Sequence, residues 1–485
     1  MQFRALFTGF RAGVLGLGVA LPFSLATAET PVPPVTAPLT CAIAESLALA
    51  RDPILFEKEL EVDKAKEKLR DVNLGAILPK FEVSMGMGPA PGLHLVPDYS
   101  LVTTGGDTVK QTQKEFNFGE WGPFFGFEAD IAQPLNVARY RAGRRASERQ
   151  IDVTSAEFKK EQLDVSEEAQ TLYYQRLLAL TMHDILDSAR HDLDRAQKKM
   201  TEQLDRGEDG VSQTDLLQLK AGRFSLDQSV NEAQLGVSRT ALGMRFVLAW
   251  PDSLEMPLSD SVLSVRPEVI PSLDSLKLSL LRDHPDLKRL KNGLAARQEL
   301  LKVAQGEIGP DIFLFGSFKY TKAWSSDRLS GGSNPFARDP LNEITAVGGL
   351  GVKLQLNFWS RYQKYRKERL ELRQLERTEV YAARGLLLKV EDAYVRLLKS
   401  RADVEAAEKS MRAAKAWLKG EAMKYDLDAS GGSRELISPF KQSLTAQRDY
   451  YKSVLEYNIT VAQLFKAVGW TLPDYFHSLN GKNGG

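Results

Sequence analysis

The chain has 485 residues, 43 % of them hydrophobic and 26 % charged, which excludes both a disordered polymer and a bundle of membrane helices. Its net charge is +1, and Arg4 and Arg11 lie in an N-terminal stretch without acids, so the remainder carries −1 and has no bulk attraction to nucleic acid. A single cysteine, Cys41, excludes an intrachain disulfide.

In chain order, residues 1–28 read as an export signal. Arg4 and Arg11 form the basic region. Ala12 to Phe23 is apolar but shorter than the roughly 18 residues of a membrane helix. Ala26-Thr27-Ala28 has the small-x-small form of a cleavage site, which places the mature start at Glu29. Cys41 lies well past the apolar stretch, behind Pro38-Leu39-Thr40, and reads as an ordinary side chain rather than a lipid acceptor. No later stretch reaches the length of a membrane helix, so this chain enters a membrane only with strands.

A first repeat is predicted over 29–248, a linker over 249–275, a second repeat over 276–469 and a C-terminal tail over 470–485. The linker prediction rests on Pro251, Pro257, Pro267 and Pro271. Each repeat opens on a charged helix after a proline: "RDPILFEKELEVDKAKEKL" in the first, "RDHPDLKRLKNGLAARQELL" in the second. Each helix runs to a second proline, Pro79 or Pro310. Strands follow, a hairpin over about 79–134 and another over about 310–356. Phe81, Val83, Met85 and Met87 share one face; so do Phe125, Phe127, Ala129 and Ile131. Ile312, Leu314, Phe318 and Tyr320 alternate in the same way, as do Leu350, Val352, Leu354 and Leu356. The connections, such as Asp327 to Glu343, read as long loops. Gly348-Gly349-Leu350-Gly351 suits a tight turn rather than a phosphate cradle.

No proline occurs from Leu135 to Trp250 or from Leu341 to Ser438, so long helices follow each hairpin. Ile151, Phe158, Val165, Leu172, Ala179, Leu186, Leu193 and Met200 recur every seven residues. Ala383, Val390, Leu397, Val404, Met411, Leu418 and Tyr425 do likewise, and small residues (Ala393, Ser400, Ala407, Ala414) run beside them. Sustained sevens indicate coiled-coil packing. Each run breaks once, at about 206–215 with Gly210 and Ser212, and at about 426–435 with Gly431 and Gly432. Asp215 and Glu435 then open the return helices. Runs of about 65 to 70 residues measure about 100 Å, far longer than a globular domain needs.

Four strands cannot close a membrane barrel, and exposed strand edges cannot face lipid, so copies must associate. The doubled order of signal, helix, hairpin, long helix, turn and helix resembles the TolC-like outer-membrane efflux proteins. The likeness is carried by "AQPLNVARYRAGRRASERQ" at the strand-to-helix junction, by the turns "GVSQTDLL" and "GGSRELI", and by Tyr174 in "YYQRLL" with Tyr394 in "AYVRLL". The resemblance implies a mainly α chain with β: one tandem-repeat protomer of a homotrimer, with a 12-stranded outer-membrane barrel continued by a long periplasmic α-helical barrel. It implies a passive duct working with a periplasmic adaptor and an inner-membrane transporter, without a catalytic centre or cofactor.

The same resemblance assigns candidate sites. Asp215 and Glu435 would line the periplasmic entrance; Ser438, with Pro439 beside it, stands where the family often carries a second acid. By charge and placement Arg434 would pair with Asp215 across adjacent tips. The tip turns at Gly210, Ser212, Gly431 and Gly432 would meet the adaptor. Arg139, Arg141, Arg144, Arg145, Arg361, Lys364, Arg366 and Lys367 would lie at the periplasmic membrane surface, facing anionic headgroups or nearby acids. Helix capping by Asp215 and Glu435, and a solvated face for the basic runs, stay open beside these readings. Phe116, Phe118, Trp121, Phe124, Phe125, Trp324 and Trp359 suit strand interfaces and a membrane girdle.

His183, Asp187 and His191 are spaced four apart on a helix but lack a third ligand, so a polar stripe is expected and no metal site. No P-loop lysine, nucleophile elbow or Cys–His pair points to an enzyme. The alternative function is a periplasmic coiled-coil adaptor of a transport complex, which should carry one helical hairpin between β modules rather than two.

Overall fold

A computed structural model describes residues 38–104, 107–206, 212–252, 254–325, 341–354, 356–427 and 434–480; for 94–104, 107–115, 425–427, 434–435 and 477–480 it describes the backbone alone. The predicted export signal, Gly210, Gly431 and Gly432, and the Arg434 and Glu435 side chains, lie outside the described residues.

The helix expected to open each predicted repeat is broken in two by its proline. In the first, α1 (Cys41–Arg51) and α2 (Pro53–Ile77) meet at Asp52. In the second, α5 (Leu273–Asp283) and α6 (Pro285–Gly306) meet at His284. A residue before proline is driven to extended backbone, and Asp52 and His284 have ψ of 125° and 128°. Each then caps the helix that follows. Asp52 Oδ1 accepts from the Ile54 amide at 2.7 Å, and His284 Nδ1 from the Asp286 amide at 3.1 Å.

Four strands follow in two pairs: β1 (Lys80–Thr104), β2 (Asp107–Pro134), β3 (Asp311–Ala323) and β4 (Ile344–Lys353). They form one antiparallel sheet in the order β1-β2-β3-β4. The register puts Val83, Ala129, Phe318 and Ala346 in one row, and Phe81, Ile131, Gly316 and Gly348 in another. One face is therefore apolar across all four strands. In the single chain it is bare: Met87 is 84 % exposed, and Phe81, Met85, Leu314, Leu350 and Val352 are also exposed.

Two expectations are corrected in the sheet. The long loops predicted between strands do not hold for the first hairpin, where β1 and β2 stay paired to Thr104↔Asp107, well past the last β2–β3 pair at Phe124↔Ala323. Cross-strand apolar pairs such as Leu93↔Phe116 and Val102↔Val109 continue the ladder there. Gly348-Gly349-Leu350-Gly351 is not a turn but the middle of β4. The Phe313 ring lies over Gly351, where an added Cβ would stand 2.5 Å from it.

The helical part is built on α3 (Val137–Asp205, 69 residues) and α7 (Phe358–Leu427, 70 residues), each about 100 Å long at 1.5 Å per residue. The return helices α4 (Gln213–Val247) and α8 (Arg434–Val468) have half that length. Antiparallel α6 covers the first half of α3, with Gly306 against Arg139 and Gly293 against Val153. Antiparallel α4 covers the second, with Gly243 against Leu172 and Leu219 against Met200. Phe440 and Leu444 of α8 join Ala189, Leu226 and Val230 on the flank. No described member of either seven-residue stripe is exposed.

The stretch predicted as linker is an ordered strap. Its backbone groups are satisfied by side chains of the helices it crosses, the requirement for burying a loop. The Leu263 amide donates to Thr181 Oγ1 at 3.1 Å, the Arg266 amide to Asn458 Oδ1 at 3.1 Å, and Asn458 Nδ2 to the Ser264 carbonyl at 2.9 Å. The stretch predicted as C-terminal tail carries a further helix, α9 (Leu472–Asn480). Thr471 and Asp474 form its capping box, and Tyr475 stacks on Phe465 with ring centroids 4.8 Å apart. Both corrections have one cause: these segments are short, and what orders them lies on distant helices.

Candidate functional site

Three places along the molecule hold its concentrated chemistry: the corner where strands become helices, the waist at mid-height, and the tip.

At the corner, β2 runs into α3 and β4 into α7. Asp311, the first residue of β3, stands between the two junctions. Its Oδ1 accepts from Arg139 Nη1 and Asn136 Nδ2, each at 2.9 Å, and its Oδ2 faces Arg361 Nη2 at 3.5 Å. Arg361 Nη1 also donates to the Glu307 and Gly309 carbonyls, and Lys364 Nζ sits 2.6 Å from Glu307 Oε2. Arg144 pairs with Glu148 at 2.9 Å and Lys367 with Glu371 at 3.9 Å, both one turn along their own helices. Arg141, Arg145 and Arg366 are exposed and have no ion pair among the described residues. The predicted basic run thus divides into cations spent on local acids and cations left free.

Beside these cations lies an exposed apolar belt. Leu354, Leu356, Phe358, Trp359 and Tyr362 continue from the apolar face of β4 into the first turn of α7. Trp359 is 63 % exposed. Phe116, Phe118, Trp121 and Trp324, toward the other end of the sheet, are exposed as well.

At the waist, a polar cluster is buried where α1, α3, α8, α9 and the strap meet. Arg266 lies between the rings of Tyr174 and Phe465, 5.4 and 5.5 Å from their centroids. Two of its nitrogens hold Glu268, at 2.9 and 3.1 Å, and a third holds Gln170 Oε1 at 2.8 Å. Glu45 is fully buried beside it. It accepts from Ser166 Oγ at 2.6 Å, Gln170 Nε2 at 3.1 Å and the Leu472 amide at 3.0 Å. Burial raises its pKa, against the lowering pull of those donors and of Arg266. Burial pushes the Cys41 thiol up to about 12, against the lowering pull of Arg266 and of a hydrogen bond with Tyr174, which removes it as a nucleophile at neutral pH. Sequence reasoning singled out Tyr174 but missed Glu45, Arg266 and Asn458; a lone arginine among prolines carries no periodic signal. Tyr394, matched to Tyr174 by position, is only half-buried.

At the tip, Ser212 and Asp215 form a reciprocal cap on α4. Ser212 Oγ accepts from the Asp215 amide at 3.1 Å, and Asp215 Oδ2 accepts from the Ser212 amide at 3.2 Å and its hydroxyl at 2.7 Å. Asp215 is half-buried. Farther from the tip, Arg223 on α4 binds Asp194 on α3 and, at 3.1 Å, Asp227; Arg190 on α3 reaches Asp227 at 3.2 Å. This cross-helix lattice was not foreseen, because facing partners lie about 30 residues apart in sequence. Pro439 sits inside the first turns of α8.

A polar crevice of about 550 Å³ opens where α3, α6 and the C-terminal end meet, but its charges are matched: Lys159 with Asp474 at 2.9 Å, Lys288 with Asp283 at 3.3 Å. His191 lies 3.5 Å from Asp187, while His183 turns instead to Asp184 at 3.6 Å. Among the described residues no three ligating side chains converge, and no helix is long and apolar enough to cross a membrane.

No family model matches the sequence, and no curated protein matches it. Solved structures do match in shape. The CmeC outer membrane channel of Campylobacter jejuni superposes with a TM-score of 0.69 at 18 % identity, over 92 % of this chain and 89 % of that one. The open state of the MtrE outer membrane channel of Neisseria gonorrhoeae gives 0.67 at 15 %, over 89 % of each chain. The outer membrane protein VceC of Vibrio cholerae gives 0.64 at 12 %, over 89 % of this chain and 96 % of that one. The chain therefore has the fold of an outer-membrane channel protomer, over nearly its whole length.

Proposed function

We propose that the chain is the outer-membrane channel of an export system in a Gram-negative bacterium: a passive duct across outer membrane and periplasm, without a catalytic step or cofactor. One observation carries this reading. The sheet has an apolar, bare outer face and two unpaired edges, β1 and β4, and it continues directly into helices about 100 Å long. A sheet with an apolar face is at home in lipid only when its edges are closed. Two copies give eight strands, whose interior fills with side chains; three give twelve, which leave a lumen. The reading is therefore a homotrimer with a twelve-stranded barrel, each chain contributing two tandem repeats, and with α3, α4, α7 and α8 of each chain forming the periplasmic tube.

The partners are those that the resemblance to outer-membrane efflux proteins implies. By that resemblance a periplasmic adaptor would meet the helical turns at the tip, and an energised inner-membrane transporter would load the tube. In this reading the turns around Gly210, Ser212, Gly431 and Gly432 meet the adaptor. Asp215 and Glu435 line the mouth, and Arg434 pairs across adjacent tips. The system is a tripartite efflux or a type I secretion assembly.

The test is fractionation followed by mass. The protein should stay with the outer membrane through a high-salt wash. In mild detergent it should run at three times the mass of the mature chain, which is a few kDa under the full 54.0 kDa once the export signal is removed, and conduct ions in planar bilayers. A monodisperse monomer soluble without detergent would falsify the proposal.

A further inference from the structure

We infer that Arg141, Arg145 and Arg366, the cations left free at the strand-to-helix corners, bind the phosphates of anionic phospholipid in the periplasm-facing leaflet. This rests on the outer-membrane reading above and adds a specific ligand chemistry to it.

The first ground is exhaustion of local partners. The paired acids at the corner are Asp311, held by Arg139 and Arg361; Glu307, by Lys364; Glu148, by Arg144; and Glu368 and Glu371, both by Arg297 at 2.9 Å, with Lys367 also 3.9 Å from Glu371. Asp152, one turn farther along α3, is taken by Arg149 at 3.4 Å. The three remaining arginines are exposed and have no acid of their own among the described residues.

The second ground is placement. On α3, Leu135 and Val137 are exposed, and Arg141 and Arg145 follow Val137 by one and two turns on the same face. On α7 the order repeats: exposed Leu356, Trp359 and Tyr362, then Arg366 one turn beyond Tyr362. At about 1.5 Å per residue, Arg141 stands about 6 Å past Val137 and Arg366 about 10 Å past Trp359. A bilayer's headgroup layer occupies about 5–8 Å beyond its hydrocarbon core on each side. Both helices begin at the membrane, and helical side chains tilt toward the helix N-terminus, so these guanidinium groups lean back toward the bilayer. An arginine fork binds phosphate oxygens in bidentate fashion, and aromatic side chains settle at headgroup depth. Cation and aromatic therefore occur here in the order a lipid surface presents phosphate and hydrocarbon.

The experiment reconstitutes the full-length oligomer into vesicles of phosphatidylethanolamine with and without phosphatidylglycerol, re-extracts it in mild detergent, and measures the lipid that stays bound. Wild type should retain phosphatidylglycerol in several-fold preference, each arginine contributing about fivefold at low ionic strength. The preference should shrink in high salt, which shortens the screening length. The variant R141Q/R145Q/R366Q should lose the preference while keeping the oligomer and its conductance. The variant R195Q/R396Q/R401Q removes the same charge from exposed positions along α3 and α7 far from the corner, and should keep it. Equal preference in the corner variant and wild type overturns the inference; so does equal loss in both variants. Loss of the oligomer in the corner variant would mean that these arginines hold acids of a neighbouring copy, and overturns it too. Failure of the wild type to insert or conduct in either vesicle sinks the channel reading itself, and the lipid site with it.

Discussion

Arg139, in the first turn of α3, donates to Oδ1 of Asp311, the first residue of β3, at 2.9 Å. The second oxygen of that carboxylate faces Arg361, which begins α7. One side chain thus ties both strand-to-helix corners together, although Arg139 lies 172 residues before it and Arg361 50 residues after it in sequence. The carboxylate holds the starts of both long helices against the start of β3.

Replacing Asp311 by Ala leaves two largely buried guanidinium groups without their acceptor. We expect a loss of about 2 kcal/mol, the usual cost of removing one partner from a charged hydrogen bond. Asp311→Asn, which keeps an acceptor oxygen for Asn136 or Arg139, should lose less. Heat-induced loss of helical circular dichroism in detergent measures both; identical melting of all three proteins would remove the corner clamp.

The waist makes a larger prediction. The Arg266 side chain is 1 % exposed and holds Glu268 with two nitrogens. Arg266→Ala strands a buried carboxylate and should cost about 3–5 kcal/mol. Removing both charges, with Arg266→Met and Glu268→Met, should cost clearly less than the single change, because a buried pair roughly offsets its own desolvation. Additive losses in this double-mutant cycle would contradict the pairing.

His284 gives a pH dependence. Its Nδ1 caps α6 as an acceptor, which only the unprotonated ring can do. Burial, with the Lys389 charge adding to it, lowers the pKa below the ordinary 6.5 against the pull of Asp286. The fold thus favours the neutral ring. Its contribution is fully present above about pH 6.5 and is lost as pH falls through the depressed value. His284→Asn keeps a capping acceptor that does not titrate, so its stability should stay flat where that of wild type falls. Parallel acid profiles for the two proteins would rule the switch out.

At the tip, Ser212→Ala should weaken the start of α4 by about 1 kcal/mol, read as faster hydrogen exchange in its first turn. Asp215→Asn together with Glu435→Gln should lower the cation preference of conductance in liposomes, since rings of carboxylate favour cations in a narrow mouth. Unchanged selectivity would leave Asp215 with the cap alone.

Sequence alone determined most of the elements, because most carry their own period. Alternation of two marked the four strands down to their shared apolar face. Repeats of seven marked α3 and α7, whose stripes are covered in the structure. Pro53 and Pro285 marked where α2 and α6 begin, and "VSQTD" marked the cap at Ser212. These signals are local: a residue's neighbours two, three, four or seven positions away state which side it faces. What only the tertiary structure decided is which distant side chains meet. The strap looked like a linker because its prolines are legible and its anchors are not: Arg266 finds Gln170 and Asn458, which lie 96 and 192 residues away. The C-terminal helix, the Glu45 pocket and the Arg223 lattice arise in the same way. The basic run at the corner shows both limits together. Its composition is plain in the sequence, but only the fold, by bringing Asp311 and Glu307 beside it, separates the cations that hold the corner from those left facing outward.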